Sequence, residues 1–182
     1  MRPFAAFLLV CSVAACTVES EAEAPPAEAA ALRSTELERV QSELRAELPD
    51  VPRIGVDELA ARLEAGERPL LVDVRAEREY AVSHIADARR AETVEEAEAL
   101  LAGEPREREV ILYCSVGVRS GHLAEALRRA GWTDVRNLEG SIFAWANAGH
   151  PVWRDGVRVR EVHPYDARWG RLLDPALRSE LE

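Results

Sequence analysis

Two short apolar runs, residues 69–74 (PLLVDV) and 109–113 (EVILY), constrain this chain more than any other feature, and a third strand is read at 135–138 (VRNL). Runs of four to six residues, bounded by turn formers, are what strands of a two-sided sheet look like. Amphipathic segments lie between them. Asp57 precedes Leu59, Ala60 and Leu63, and that segment stops at Gly66. Residues 77–81 can make a short helix, and Thr93 precedes a further one through Ala97, Leu100 and Leu101 to Gly103. Leu123, Ala124 and Leu127 lead to Gly131, and 142–148 follow the last run. Asp57 and Thr93 are read as N-caps, because a short polar side chain can accept from the free amides of the first turn. The alternation predicts an α/β domain with a parallel sheet. In such sheets ligands gather at the carboxyl ends of strands, and Cys114 stands there, directly after the second run.

The rest of the 182 residues reads as appendages to that domain. Ser34 and Thr35 are read as caps of a helix over 34–50, with Glu38 at capping-box spacing and Leu37, Val40, Leu44 and Leu48 on one face. Pro49 and Pro52 end it. At the other end, 155–182 form a C-terminal extension. Val162-His163-Pro164-Tyr165 and Trp169-Gly170 suggest an ordered segment laid on the domain, followed by a short helix near 175–181. At the start, Arg2 precedes an apolar stretch over 4–13 that is too short to span a bilayer but suits a signal sequence. It runs into Val13-Ala14-Ala15-Cys16, which resembles the bacterial lipobox. That resemblance implies a signal peptide over 1–15, cleavage before Cys16, and a diacylglyceryl group on Cys16. The expected product is an exported, membrane-anchored lipoprotein facing the periplasm or cell exterior. Thr17, which is not aspartate, favours the outer membrane in a two-membrane cell. Residues 16–33, acidic and rich in Ala and Pro, are expected to be a flexible tether.

Charge and cysteine usage narrow the chemistry. The formal net charge of −10 argues against a nucleic-acid partner, since phosphate backbones reward basic faces. Beyond Cys11 and Cys16, Cys114 is the only cysteine. It has no CxxC or Cys/His company of the kind zinc requires, so no metal is expected. A solitary thiol is either a buried small hydrophobe or a reactive group, and its neighbourhood favours the second. Tyr113-Cys114-Ser115-Val116-Gly117-Val118-Arg119-Ser120 joins a buried strand to a helix. Converging amides in such a loop, together with the positive end of the helix, would stabilise an anion on the sulfur. Gly117 can take a positive φ, and Ser120 is read as the helix cap.

That segment resembles the active-site loop of rhodaneses, Cys-Arg-x-Gly-x-Arg-Ser, at Cys114, Gly117, Arg119 and Ser120. Other matching pieces follow in order. They are Asp73-Val74-Arg75 with Glu79-Tyr80, His84-Ile85 with Ala88, and Gly131-Trp132 through Gly140, Trp145 and Pro151-Val152. The resemblance implies a rhodanese-like three-layer fold over 51–154, with a central parallel sheet flanked by helices. It also implies sulfur transfer by double displacement. Cys114 takes the outer sulfur of an anionic donor such as thiosulfate, holds it as a persulfide in the loop (Ser115, Val116, Gly117, Val118, Arg119, Ser120), and yields it to cyanide or a thiol. No cofactor is implied. The Cys-x4-Arg spacing is that of sulfurtransferases, whereas related phosphatases and arsenate-handling members carry Cys-x5-Arg.

The chain departs from the pattern at Ser115, where arginine is frequent, and at Ser83, Ala86, Asp87 and Ser141. Asp73 and Arg75 either support the site or form a structural ion pair, and the pair is favoured. Arg119 either binds the donor or braces the loop. His84 is read as structural, while His122 lies just inside the following helix, from where it could approach the cleft. The tryptophans are read as packing residues. The alternative to an enzyme is a low-turnover persulfide-binding or docking module, which the loss of arginine at 115 favours and the retained thiol opposes.

Overall fold

The computed structural model describes residues 26–180. The expected signal peptide, Cys16 and the first part of the tether lie outside them. In chain order the elements are α1 (Pro26–Glu47), β1 (Arg53–Ile54), α2 (Val56–Glu64), β2 (Leu70–Asp73), α3 (Glu77–Val82), β3 (Arg89–Arg90) and α4 (Val94–Leu100). There follow β4 (Val110–Tyr113), α5 (Val118–Arg129), β5 (Val135–Leu138), α6 (Ser141–Asn147), β6 (Val152–Arg154), β7 (Val157–Val159) and α7 (Ala167–Gly170). Five strands form one parallel sheet in the order β1-β5-β4-β2-β3, so β4 lies at its centre.

Because side chains alternate across a strand, each run feeds two cores. On one face Leu71, Ile111, Tyr113 and Leu138 meet Leu59 of α2 and Ile142, Phe143 and Trp145 of α6. On the other, Val72, Val110, Leu112 and Val135 meet Ala97 of α4 and Leu123, Ala124 and Leu127 of α5. Burying each such branched side chain contributes about 1.5–3 kcal/mol. α1 serves both cores, with Leu37 and Val40 in the first and Leu44 and Leu48 in the second. Gly121 of α5 lets it approach closely, since a Cβ there would stand 3.1 Å from Leu48.

Several local expectations need correction. The tether expected over 16–33 is helical from Pro26, so Ser34 and Thr35 lie inside α1, and the Thr35 hydroxyl donates back to the Ala31 carbonyl at 3.0 Å. Ala27, Ala29, Ala30, Ala31 and Leu32 are strong helix formers, and proline suits a first helical turn. The Ala-Pro composition therefore extends the helix here. Asp57 is not a cap. α2 starts at Val56 behind Gly55, two residues earlier, and Asp57 lies in its first turn. Thr93 does cap α4, accepting from the Glu96 amide at 3.2 Å.

Beyond 150, β6 and β7 form an antiparallel hairpin turned by Asp155-Gly156, both with positive φ. The chain then lies back across the first core, burying Val162, Leu172 and Leu173. Asn147 of α6 donates to the Leu172 carbonyl, and Arg33 of α1 pairs with Asp174 at 2.9 Å. The expected terminal helix is one 3-10 turn at Pro175–Leu177.

Candidate active site

The loop after β4 is built by turning its carbonyls away from the sulfur. Cys114 O accepts from the Ile142 amide at 3.2 Å and Ser115 O from the Phe143 amide at 3.1 Å, both at the start of α6. Val116 O accepts from Gln41 Nε2 at 2.7 Å. Gly117 O accepts from Asn137 Nδ2 at 3.0 Å, and the other end of that amide accepts from the Ser120 hydroxyl at 2.7 Å. Gly117 itself has φ 102°, which glycine alone adopts without strain. Its amide points at Cys114 Sγ, 3.1 Å away. α5 therefore begins at Val118 behind Gly117, and Ser120, expected as the cap, sits inside its first turn. The amides of that turn have no intrahelical acceptor and are available to an anion.

The electrostatics favour the thiolate. Cys114 is 1% exposed. Burial pushes its pKa up, but the Arg119 charge and the Ser120 and Gly117 amides outweigh this and hold it below the ordinary value. Arg119 is itself held by Glu79. Its two terminal nitrogens reach the two carboxylate oxygens at 2.9 and 2.8 Å, and one also reaches Ser115 Oγ at 3.0 Å. Ser115 Oγ donates to Glu79 at 3.1 Å, as does the Ala76 amide. Glu79 is fully buried; burial raises its pKa, and Arg119 more than offsets that, so the carboxylate stays charged. Arg119 thus braces the loop, and the side chain at 115 completes the same network.

The other expected residues stand further back. Asp73 and Arg75 form a fully buried ion pair. The guanidinium bridges both Asp73 oxygens and donates to the Ser83 carbonyl at 2.6 Å. His84 stacks on Tyr80 with ring centroids 4.0 Å apart, and its backbone pairs with Trp153. His122 faces Glu47 at 3.4 Å. Trp145 donates to the Pro151 carbonyl at 2.9 Å.

Above the sulfur lies a cavity of about 180 Å³, lined by Cys114, Ser115, Val116, Val118, Arg119, Tyr165 and Trp169. Tyr165 lies 4.7 Å below the Arg119 guanidinium. Sequence reasoning missed Gln41, Glu79, Asn137 and the two aromatic walls as parts of the site. The available signals were Glu79 in a matching motif, and Tyr165 and Trp169 in a tail that reads as ordered.

The profile of the rhodanese-like domain matches residues 55–148, half of the chain. The chain belongs to the rhodanese-like family. It is 35% identical over 102 residues to a sulfurtransferase of Allochromatium vinosum, covering 56% of this chain and 94% of that protein. It is 36% identical over 96 residues to the probable adenylyltransferase/sulfurtransferase MoeZ of Mycobacterium tuberculosis, covering 52% of this chain. There the chain spans only 24% of the relative's length. The solution structure of the rhodanese-like domain of an Anabaena sp. protein superposes with a TM-score of 0.52 at 26% identity, covering 58% of this chain and 80% of that one. The rhodanese-like span contains Cys114, Glu79, Arg119 and Asn137. Gln41, Tyr165 and Trp169 lie outside it, so both flanking segments reach the loop.

Proposed function

We propose that the protein transfers sulfane sulfur through a persulfide on Cys114. The observation that carries this reading is the Gly117 amide aimed at Sγ in a loop whose carbonyls are all tied back. Such a cradle stabilises a thiolate before attack and a persulfide anion after it. The thiolate attacks the outer sulfur of a donor such as thiosulfate. The donor's S–S bond breaks, sulfite leaves with the bonding pair, and Cys114 keeps the sulfur as S–S⁻. Cyanide or a thiolate then attacks that terminal sulfur and restores the Cys114 thiolate. Arg119, braced by Glu79, supplies fixed positive charge beside the sulfur through both steps.

Intact mass tests this directly. Incubation with thiosulfate is expected to add one sulfur atom, cyanide to remove it, and Cys114→Ser to abolish the gain. Loading that survives in Cys114→Ser would overturn the assignment.

On the same reading the domain works at a membrane surface, exported and anchored through lipidated Cys16, and the motif 13–16 supports this. Palmitate labelling in a bacterial host is expected to vanish in Cys16→Ser. Labelling that persists would sink the anchor.

A further inference from the structure

The cavity over Cys114 offers a small dianion the backbone amides at its floor but little side-chain charge at its mouth. Of its seven lining residues only Arg119 is cationic. That charge is offset by Glu79, whose carboxylate engages both terminal guanidinium nitrogens. The side chain at 115, a serine, adds no cation and is committed to the same carboxylate. The rest of the wall is Val116 and Val118 from the loop, and Tyr165 and Trp169 from the tail. The two rings belong to a segment held firmly in place. Asp166 caps the short helix carrying Trp169, accepting its amide at 2.7 Å. The Tyr165 amide donates to His163 Nδ1 at 2.9 Å, and the Tyr165 ring lies against Arg119 at cation–π distance. Cys114 is 1% exposed and opens on this cavity, so a donor that seats there meets these rings. A dianion entering there leaves water for an apolar mouth with no unpaired cation. A donor with an apolar body and one charge loses less and gains ring contact.

We propose that Tyr165 and Trp169 are specificity-determining walls that select organosulfur donors with an apolar body and at most one negative charge over thiosulfate. This refinement rests on the sulfur-transfer reading above. For an organic persulfide, the Cys114 thiolate attacks the outer sulfur of R–S–SH. The S–S bond breaks, the departing sulfur keeps the electron pair and takes the proton from the transferred sulfur to leave as R–SH, and Cys114 becomes the persulfide anion.

Thiosulfonates isolate the effect, because methanethiosulfonate and benzenethiosulfonate transfer the same sulfur and release a sulfinate in each case. With cyanide as acceptor and thiocyanate as readout, kcat/KM is expected to be at least tenfold higher for benzenethiosulfonate than for methanethiosulfonate, with thiosulfate lowest. Tyr165→Ala and Trp169→Ala are each expected to cut the benzene-to-methane ratio severalfold. Tyr165→Phe, which keeps the ring, is expected to preserve it, and urea unfolding confirms that each variant is folded. Equal kcat/KM for the two thiosulfonates, or a ratio untouched by both alanine variants, overturns the proposal while leaving sulfur transfer standing. If none of the donors adds sulfur to Cys114 by intact mass, the sulfur-transfer reading fails and the specificity falls with it.

Discussion

The family-matched span 55–148 and the segments that flank it contribute to one site in different ways. The span supplies Cys114, the charge network of Glu79, Ser115 and Arg119, and three of the four groups that tie back the loop carbonyls. The flanks supply the fourth tie, from Gln41 in α1, and the aromatic walls above the sulfur. The division follows from what each task needs. Activating a thiolate takes amides and charges within about 3–5 Å of the sulfur, which a strand–loop–helix unit can provide alone. Choosing what approaches takes surface further out, which a parallel sheet leaves open at its carboxyl edge. The proposed sulfur chemistry therefore belongs to the core, and the proposed selection of donors to the flanks.

Two ion pairs show the same contrast inside the core. Asp73–Arg75 has both side chains fully buried and does not line the cavity, whereas Arg119 of the Glu79 pair is a third exposed and does. The sharpest way to separate them is Asp73→Asn. The guanidinium of Arg75 would then be a buried charge without its carboxylate, in a place where its Nη1 already has no partner. Losing one member of such a pair costs about 3–5 kcal/mol. Urea unfolding followed by tryptophan fluorescence is expected to show a loss of that size, with the pH dependence of Cys114 alkylation unchanged in the protein that remains folded. A shifted alkylation profile would mean that the pair belongs to the site after all.

What was legible beforehand tracks how local each signal is. β2, β4 and β5 are readable because their runs are buried on both faces, and Cys114 with its loop is readable because strand end, glycine and helix start are contiguous. β1 and β3 are two residues long and carry Arg53, Arg89 and Arg90, so nothing in their composition marks them. The Asp155-Gly156 turn is a hairpin signal that the sequence does carry. At Asp87 and Ser141, where the family pattern has glycine, φ is still positive, at 60° and 51°. The sequence shows the departure but not that the backbone keeps the glycine conformation. At Ser141 the added hydroxyl accepts from the Cys114 amide at 3.1 Å and so joins the site. Gln41 and Tyr165 are 73 and 51 residues from Cys114 in sequence, and only the packing of α1 and of the tail brings them near.

Gln41 offers the finer test of the division between core and flank. Its amide is buried, and its donation at 2.7 Å holds the Val116 carbonyl away from Sγ. Gln41→Leu keeps the volume and removes the donor, leaving that carbonyl unsatisfied at a cost of about 1–3 kcal/mol. If the tie acts only as packing, the loss of stability is the whole effect. If it positions the loop, the neighbouring Gly117 amide also loses its aim at the sulfur, and the Cys114 pKa rises. The sign for the wild type is set by a thiol held below its ordinary value of 9.0 in the folded state. The thiolate's contribution to stability is complete above the unfolded value and is lost as pH falls through the folded one. The unfolding free energy of the wild type, relative to Cys114→Ser, is therefore expected to climb with pH across that window. In Gln41→Leu the climb should be smaller and begin at higher pH, with the midpoint of Cys114 alkylation by iodoacetamide moving up in step. An unmoved midpoint beside a lower urea midpoint would return Gln41 to packing, and the flanks would then reach the chemistry only through the aromatic walls.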